Sequence, residues 1–579
     1  MQLAGLENAP QGVPPLIFAP KPWLRFAAAA AVGMVWGLSF PLPGVAGLAW
    51  AVPGLLLAVT GGVARGLSFR AGYVAAAVHY LISLSWLRFI PFPAGAYTGW
   101  FALSLFLALF PPLWAEASWM AARRLRILAA PTFEFRGLGD AFAAAPWLRL
   151  NVWFLATSAG WVAWEMLIAR LFGGFPWNLL GASQYRMLPM IQVAAFTGVY
   201  GVSFAIVWFS TSLFAAVVLL LRDPDRPGTW RRPLVFPALM MVAVTFGGFL
   251  VIFTESPPPR RLGVALVQPA IPQSVIFDPE ATTNRFESLL RLTEQALTTR
   301  PDLVVWPEAS LPDGLQREDF ERLSKAVRAA GAWLVFGSDE VEPASEASVR
   351  DGDGPAEGRA FNSAFLMNPE GKVVDSYRKR HLVMFGEYIP FARWIPFLRR
   401  LAPIGDGFHP GEKPASFQLG SLDATLSPLI CFEDNFPQQV REHAPIGTDF
   451  LVNLTNDAWF DRSAAQWQHT ANAVFRAVEN GLPLIRATNN GISCWIDPRG
   501  RIHSVRLAEG RDVYDAGFDR MTLTFGNPAG TFYNRFGDVF GWGCVAGVLT
   551  VLRPPRNRVQ STSPPPRAPN PTTPKLPKA

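Results

Sequence analysis

The sequence predicts a polytopic α-helical membrane protein that carries an inserted α/β domain. Half of the residues are hydrophobic, only 16% are charged and the mean hydropathy is positive, which argues against a wholly soluble chain. Long apolar runs recur, each near the ~20 residues that a bilayer core demands of a helix. The polar stretch between them alternates short β-rich runs with helical ones, the pattern of layered α/β architecture. At 579 residues the chain is too long for one ordinary core, so at least two structural units are expected.

Residues 1–22 are polar or interrupted by proline and read as a weakly ordered N-terminal segment. A transmembrane bundle, residues 23–254, follows as about seven apolar runs. They lie at about Leu24–Phe40, Val45–Gly62, Ala71–Phe89, Ala96–Ala122, Asn151–Phe172, Pro189–Leu221 and Leu234–Phe253. A final run, about Phe536–Leu552 in residues 536–552, brings the total to about eight spans. With Lys21 and Arg25 at its start and FAAAAAV within it, the first run also fits a cleaved signal peptide. The apolar segments close behind it make a retained span the simpler reading.

Lys and Arg collect on the cytoplasmic side of a membrane protein. Here they collect in the even connections: Arg65 and Arg70; then Arg123, Arg124, Arg126, Arg136 and Arg149; then Arg222, Arg226, Arg231 and Arg232. The Pro-rich tail, residues 553–579, adds Arg553, Arg556 and Arg558 and reads as disordered. The first connection is uncharged, and the third and fifth hold little beyond Arg88 and Arg186. Both termini are therefore expected in the cytoplasm and the large polar region, residues 255–535, outside. The same distribution explains the net charge of +7 without a nucleic-acid partner.

Glu165 and Arg170 fall in or near an apolar span, where charge is costly and is usually paired or functional. A structural ion pair, a snorkelling arginine and a lipid-headgroup contact all fit. The GFPW segment that follows reads as re-entrant or interfacial, with Trp177 at headgroup level.

In the polar region LGVALVQPA reads as a strand, Thr282–Thr298 as a helix, DLVVWPE as a strand, Arg317–Ala330 as a helix and AWLVFGSD as a strand. Asn362–Met367 and Lys372–Tyr377 form a hairpin across NPEG. ATLSPLICFE and FLVNLTNDAW are strands, Ala464–Glu479 a helix, and PLIRATNNGISCWIDPRGRI a strand pair.

The most informative stretch is LICFEDNFP, Leu429–Pro437, which puts Cys431 between the end of a strand and a segment able to open a helix. Backbone N–H groups at a helix start favour a thiolate and can hold an oxyanion, so Cys431 is a candidate nucleophile. Read in isolation, such a cysteine is better explained as an inert small hydrophobe. Two other strand ends carry chemistry as well: Glu308 in VVWPEAS and Lys379 in SYRKRHLVMFGEYIP. The chain has three cysteines, too few for a disulfide framework. Cys494 and Cys544 read as packing residues. His381 and His469 lack zinc-type spacing and no Gly-rich phosphate loop occurs, so neither metal nor cofactor is expected.

Glu308 in WPE, Lys379 in Y-x-K and Cys431 in C-F-E resemble the Glu-Lys-Cys triad of the nitrilase superfamily. The strings HLVMFGEYIP, NLTNDAWF and RATNNGIS are similar to those of its membrane-embedded branch, the apolipoprotein N-acyltransferases. The resemblance covers most of the chain, because the apolar half before the triad also fits. It implies a nitrilase-like αββα sandwich for the α/β domain. It further implies an enzyme of the bacterial inner membrane, with its catalytic domain in the periplasm, that moves an acyl chain through a cysteine thioester. The donor would be a membrane phospholipid, the acceptor the N-terminal amine of a diacylglyceryl apolipoprotein, and the bilayer itself a partner; a monomer is expected.

On that resemblance Cys431 is the nucleophile, Glu308 the base and Lys379 the charge that holds the oxyanion. Glu387 and Glu433 match further acidic positions: either could orient Lys379, hold a substrate amine or cap a backbone N–H. Asn456 and Trp459 border the substrate cleft or pack a loop. Arg476 and Glu479 read as an i,i+3 ion pair. Met384 stands where the family usually has Pro and Asp461 where it has Gly. Two other functions are open: a membrane-tethered nitrilase or amidase that uses water, and a non-catalytic transporter or receptor with an external ligand-binding domain.

Overall fold

The structure, a computed structural model, describes residues 22–129, 135–254, 260–276, 282–311, 317–343, 358–391, 394, 395, 397, 404, 407–505, 513–526 and 530–553. The expected weakly ordered N-terminal segment (but for Pro22) and the disordered tail after Arg553 lie outside the described residues.

The apolar runs become helices at Pro22–Gly37, Val52–Thr60, Arg65–Ser83, Pro93–Leu107, Phe110–Arg124, Trp147–Ile168, Val199–Arg222, Val235–Phe253 and Val539–Leu552. Proline and glycine set several boundaries away from the expected ones. The run at Val45 opens as a 3₁₀ turn, Ala46–Trp50, before Pro53 starts the helix Val52–Thr60. The run at Pro189 is two short helices, Leu188–Ile191 and Ala194–Thr197, up to Gly198 at φ +67°; the long helix begins only at Val199. Proline is well placed in a first turn because its missing N–H would have no partner there. Among the described residues three helices, Pro93–Arg124, Val199–Arg222 and Pro227–Phe253, are long and apolar enough to cross a membrane by length and composition.

Glu165 and Arg170 do not pair with each other. Glu165, fully buried, accepts hydrogen bonds from Trp161 Nε1 (2.9 Å) and Leu180 N (2.8 Å). Arg170 pairs with Asp538, at the start of the last helix, and lies over the Trp542 ring. The Trp177 side chain, expected at headgroup level, is enclosed by protein, and its Nε1 donates to Gln468 Oε1 (2.7 Å) on the α/β domain. No sequence pattern foretold this, because the partner lies 291 residues away.

Among the described residues the α/β domain contains two six-stranded sheets in the orders β12-β1-β2-β3-β4-β5 and β11-β10-β9-β8-β7-β6. The first sheet is built from β1 (Arg260–Gln268), β2 (Leu303–Val305), β3 (Trp333–Glu342), β4 (Arg359–Met367), β5 (Val373–Arg378) and β12 (Gly517–Phe525). The second is built from β6 (Phe417–Leu419), β7 (Ala424–Ile430), β8 (Phe450–Thr455), β9 (Leu484–Thr488), β10 (Cys494–Ile496) and β11 (Ile502–Ser504). In each sheet three central strands are parallel, β1-β2-β3 and β7-β8-β9, and antiparallel strands flank them.

Period-two burial explains the layers. Val264 and Leu266 of β1 meet Leu426, Val452 and Ile485 of the second sheet in a core between the sheets. Ala265 and Val267 point the other way, onto Phe286, Leu289 and Val327 of the helices Thr282–Thr298 and Arg317–Ala330. The outer face of the second sheet is covered by Pro437–Glu442 and Ala465–Asn480, giving the αββα order. Their core is continuous with that of the helical region.

Candidate active site

Three strand ends meet at one edge of the sandwich. Glu308 follows β2, Lys379 follows β5 and Cys431 follows β7. The approach of the β2 end depends on Gly337 in β3: a Cβ there would stand 2.7 Å from Pro307 O and 2.8 Å from Glu308 Cα. Only a residue without a side chain lets the Glu308 backbone sit so close.

Lys379 Nζ lies 3.1 Å from Glu308 Oε1 and 2.8 Å from Glu387 Oε1. Asn362 Nδ2, from β4, donates to the same two oxygens at 2.9 Å each. The second oxygen of Glu308 accepts from Asn456 N (3.0 Å), and that of Glu387 from Val383 N (2.8 Å). Burial alone would strip the Lys379 proton, but the paired carboxylates outweigh it and hold the ammonium well above its ordinary pKa. Lys379 is therefore a fixed cation at 1% exposure, suited to charge stabilisation and unsuited to acting as a base.

Cys431 is half-buried and adopts φ +52°, the left-handed region that a β-carbon disfavours. The turn Cys431–Asn435 is 3₁₀, and the α-helix starts only at Pro437. The elbow is thus a 3₁₀ turn, and the thiol does not open the α-helix that the sequence allowed there. Burial and then the Glu308 carboxylate push it well above the ordinary thiol value, against an opposing pull from Lys379. An un-ionised thiol beside a carboxylate that can take its proton is the arrangement of a general-base-activated nucleophile.

Glu433 is a buried structural carboxylate. Its Oε2 accepts from Ile430 N (2.8 Å), and its Oε1 accepts from Tyr377 Oη (2.7 Å), Arg380 N (2.8 Å), His381 N (3.1 Å) and Gln439 Nε2 (2.9 Å). It thus ties the turn behind Cys431 to the backbone around Lys379. Glu387 orients Lys379. Asn456 borders the site through its main-chain N–H, its side chain being engaged by Gln273 and Asn489. Trp459 is half-buried one turn further on. Arg476 and Glu479 form the expected i,i+3 pair (2.7 Å), and Glu479 also accepts from Val199 N (2.8 Å).

Sequence reasoning missed Asn362, whose only signal was an amide in the mostly apolar strand AFNSAFLM. It also missed the aromatic wall on the helical side. There Trp177 stacks on Phe432 (6.0 Å) beside the nucleophile and packs at a tilt on Trp86 (4.8 Å), which meets Phe460 edge-on (4.5 Å).

Residues 263–524 match the carbon-nitrogen hydrolase family and residues 32–212 match the apolipoprotein N-acyltransferase N-terminal domain. An apolipoprotein N-acyltransferase of Geobacter metallireducens is 35% identical over 545 residues, 92% of this chain and 96% of that protein. One from Bradyrhizobium diazoefficiens is 32% identical over 82% of this chain and 88% of its own length. Among solved structures, an amidase from Nesterenkonia sp. aligns at 20% identity over 48% of this chain and 92% of its own, with a TM-score of 0.33. With both family regions present and the similarity running through nearly all of its length, the chain belongs to the apolipoprotein N-acyltransferase family.

Proposed function

We propose that this protein moves an acyl chain from a membrane phospholipid, through a thioester on Cys431, to the α-amino group of a diacylglyceryl-cysteine at the start of an apolipoprotein. The observation that carries the reading is the joining of Glu308, Lys379 and Glu387 in one buried network beside the Cys431 elbow. Glu308 takes the thiol proton as sulfur attacks the ester carbonyl, and Lys379 faces the charge that develops on the carbonyl oxygen. The ester C–O bond breaks and the lysophospholipid alkoxide leaves with the proton held by Glu308. The acceptor amine then attacks the thioester and gives its proton to Glu308, and the departing thiolate takes it back.

The wall of Trp86, Trp177, Phe432 and Phe460 supplies an apolar flank for the chain being carried. About eight spans, with both termini in the cytoplasm, hold the site of a single copy at the outer leaflet of the inner membrane. Neither lipid then has to leave hydrocarbon. The water-using amidase reading is not favoured, because the similarity extends through the N-terminal domain of the acyltransferases.

Membranes containing the protein, incubated with phospholipid labelled in its acyl chain, should yield a hydroxylamine-labile adduct on Cys431 that passes to an apolipoprotein acceptor. The same thioester persisting in a Cys431→Ser variant would sink the proposal, and release of free fatty acid alone would point to the hydrolase.

A further inference from the structure

His469 read from sequence as an isolated histidine. In the fold it lies at 2% exposure between two carboxylates, with Nε2 2.8 Å from Asp434 Oδ1 and Nδ1 2.9 Å from Asp457 Oδ1. Asp434, three residues after the nucleophile, also pairs with Arg486 of β9 and accepts from Asn453 Nδ2 (2.5 Å). Asn453 in turn donates to the carbonyl of Cys431 (3.1 Å). On the other side, Asp457 follows Asn456, whose N–H holds Glu308 (3.0 Å). An unbroken line of contacts therefore runs from the Cys431 carbonyl through Asn453, Asp434, His469 and Asp457 to the residue that grips Glu308.

We propose that His469 is a positioning residue for acyl transfer: clamped between Asp434 and Asp457, its imidazolium locks the Cys431 elbow to the loop that holds Glu308. This rests on the reading of Cys431 as the acyl-accepting nucleophile. The elbow needs such a lock, because a cysteine at φ +52° is held there only when its surroundings over-determine it.

Charge bookkeeping requires the imidazolium form. The groups facing His469 are Asp434 from the elbow, Asp457 from the loop after β8, and Arg486 from β9, with the uncharged Trp177 ring 5.4 Å away. Two carboxylates and one guanidinium would leave a net negative charge buried under a thiol that must ionise. A protonated histidine cancels it. Burial works against that proton, but Asp434 and Asp457 raise the histidine to about 9.

The full-length protein in detergent micelles with acyl-labelled phospholipid gives the test, reading single-turnover labelling of Cys431 per folded molecule. His469→Gln should label about ten-fold more slowly or worse, through lost charge and lost alignment together. Adding Asp457→Asn to it restores neutrality and should recover part of the rate, which a purely structural loss would not allow. In the wild-type protein, labelling should fall as pH rises through about 9, opposite to the rise that thiol ionisation alone would give. Wild-type labelling by His469→Gln, or a double variant no faster than the single one, overturns the inference. Should His469→Gln fail to fold, a wild-type rate still climbing beyond that pH overturns it. If the wild-type protein forms no adduct at all, the acyltransferase reading falls and takes this inference with it.

Discussion

Lys379 illustrates how a buried charge is made permanent. Its two carboxylate partners, at 2.8 and 3.1 Å, compensate a desolvation that would otherwise neutralise it. Lys379→Met should lower the acylation rate by about 10²–10³-fold, the usual loss of a preorganised oxyanion donor. It should also destabilise the fold by about 3–5 kcal/mol, since Glu308 and Glu387 would be left buried without their cation; single-turnover labelling and thermal unfolding check the two parts. Asp461 is the converse case. It sits exposed at φ +46°, ψ −155°, a conformation close to glycine-only territory, which is the physical reason for glycine at this place in the family pattern. Strain of about 1–3 kcal/mol exceeds the entropy that glycine adds to the unfolded chain, about 0.5–1 kcal/mol. Asp461→Gly should therefore stabilise by about 1 kcal/mol, and unchanged or lowered stability in chemical denaturation would contradict the strain argument.

The turn Cys431–Asn435 does more than end β7. Through Glu433 it is fastened to Tyr377, Arg380 and His381 around the end of β5, so the nucleophile and Lys379 move as one unit. Glu433→Ala leaves buried N–H and O–H donors without an acceptor, at about 1–3 kcal/mol for each one that water does not reach. We expect a fall in stability larger than for any exposed carboxylate, together with slower acylation. Calorimetry and the labelling rate report the two effects, and a variant as stable as wild type would remove Glu433 from this role. The hairpin β4-β5 and the helices Thr282–Thr298 and Arg317–Ala330 were legible from alternation, turn residues and amphipathic spacing. The 3₁₀ geometry of the elbow was not. A strand-to-helix junction reads alike whether its first residue is relaxed or left-handed, since the contacts that hold the Cys431 elbow come from Asn453 of β8 and from the groups around the end of β5 that Glu433 engages.

At the scale of the molecule, helix Ala465–Asn480 is the joint. Its polar residues face no water: every residue in it except Trp467 is buried. Gln468 alone accepts from Trp86 Nε1 (3.1 Å), Trp177 Nε1 (2.7 Å) and Asn178 Nδ2 (3.2 Å), and donates to Pro41 O (2.6 Å) and Ser83 O (3.1 Å). Gln468→Leu should loosen the helical region from the α/β domain, costing about 3 kcal/mol for the stranded donors. Limited proteolysis in the connection before β1 and a changed tryptophan emission would register it; wild-type resistance would show that the joint lies elsewhere. The sequence by itself determined the apolar helices, the layered α/β pattern and the three strand ends that carry Glu308, Lys379 and Cys431, because periodicity, turn chemistry and residue type are local properties. Only the tertiary structure decided that Arg170 pairs with Asp538, that Trp177 is buried against Gln468, and that His469 bridges Asp434 and Asp457. Each of those outcomes depends on a partner brought in from a distant part of the chain, and a buried polar side chain takes its role from the partner that satisfies it.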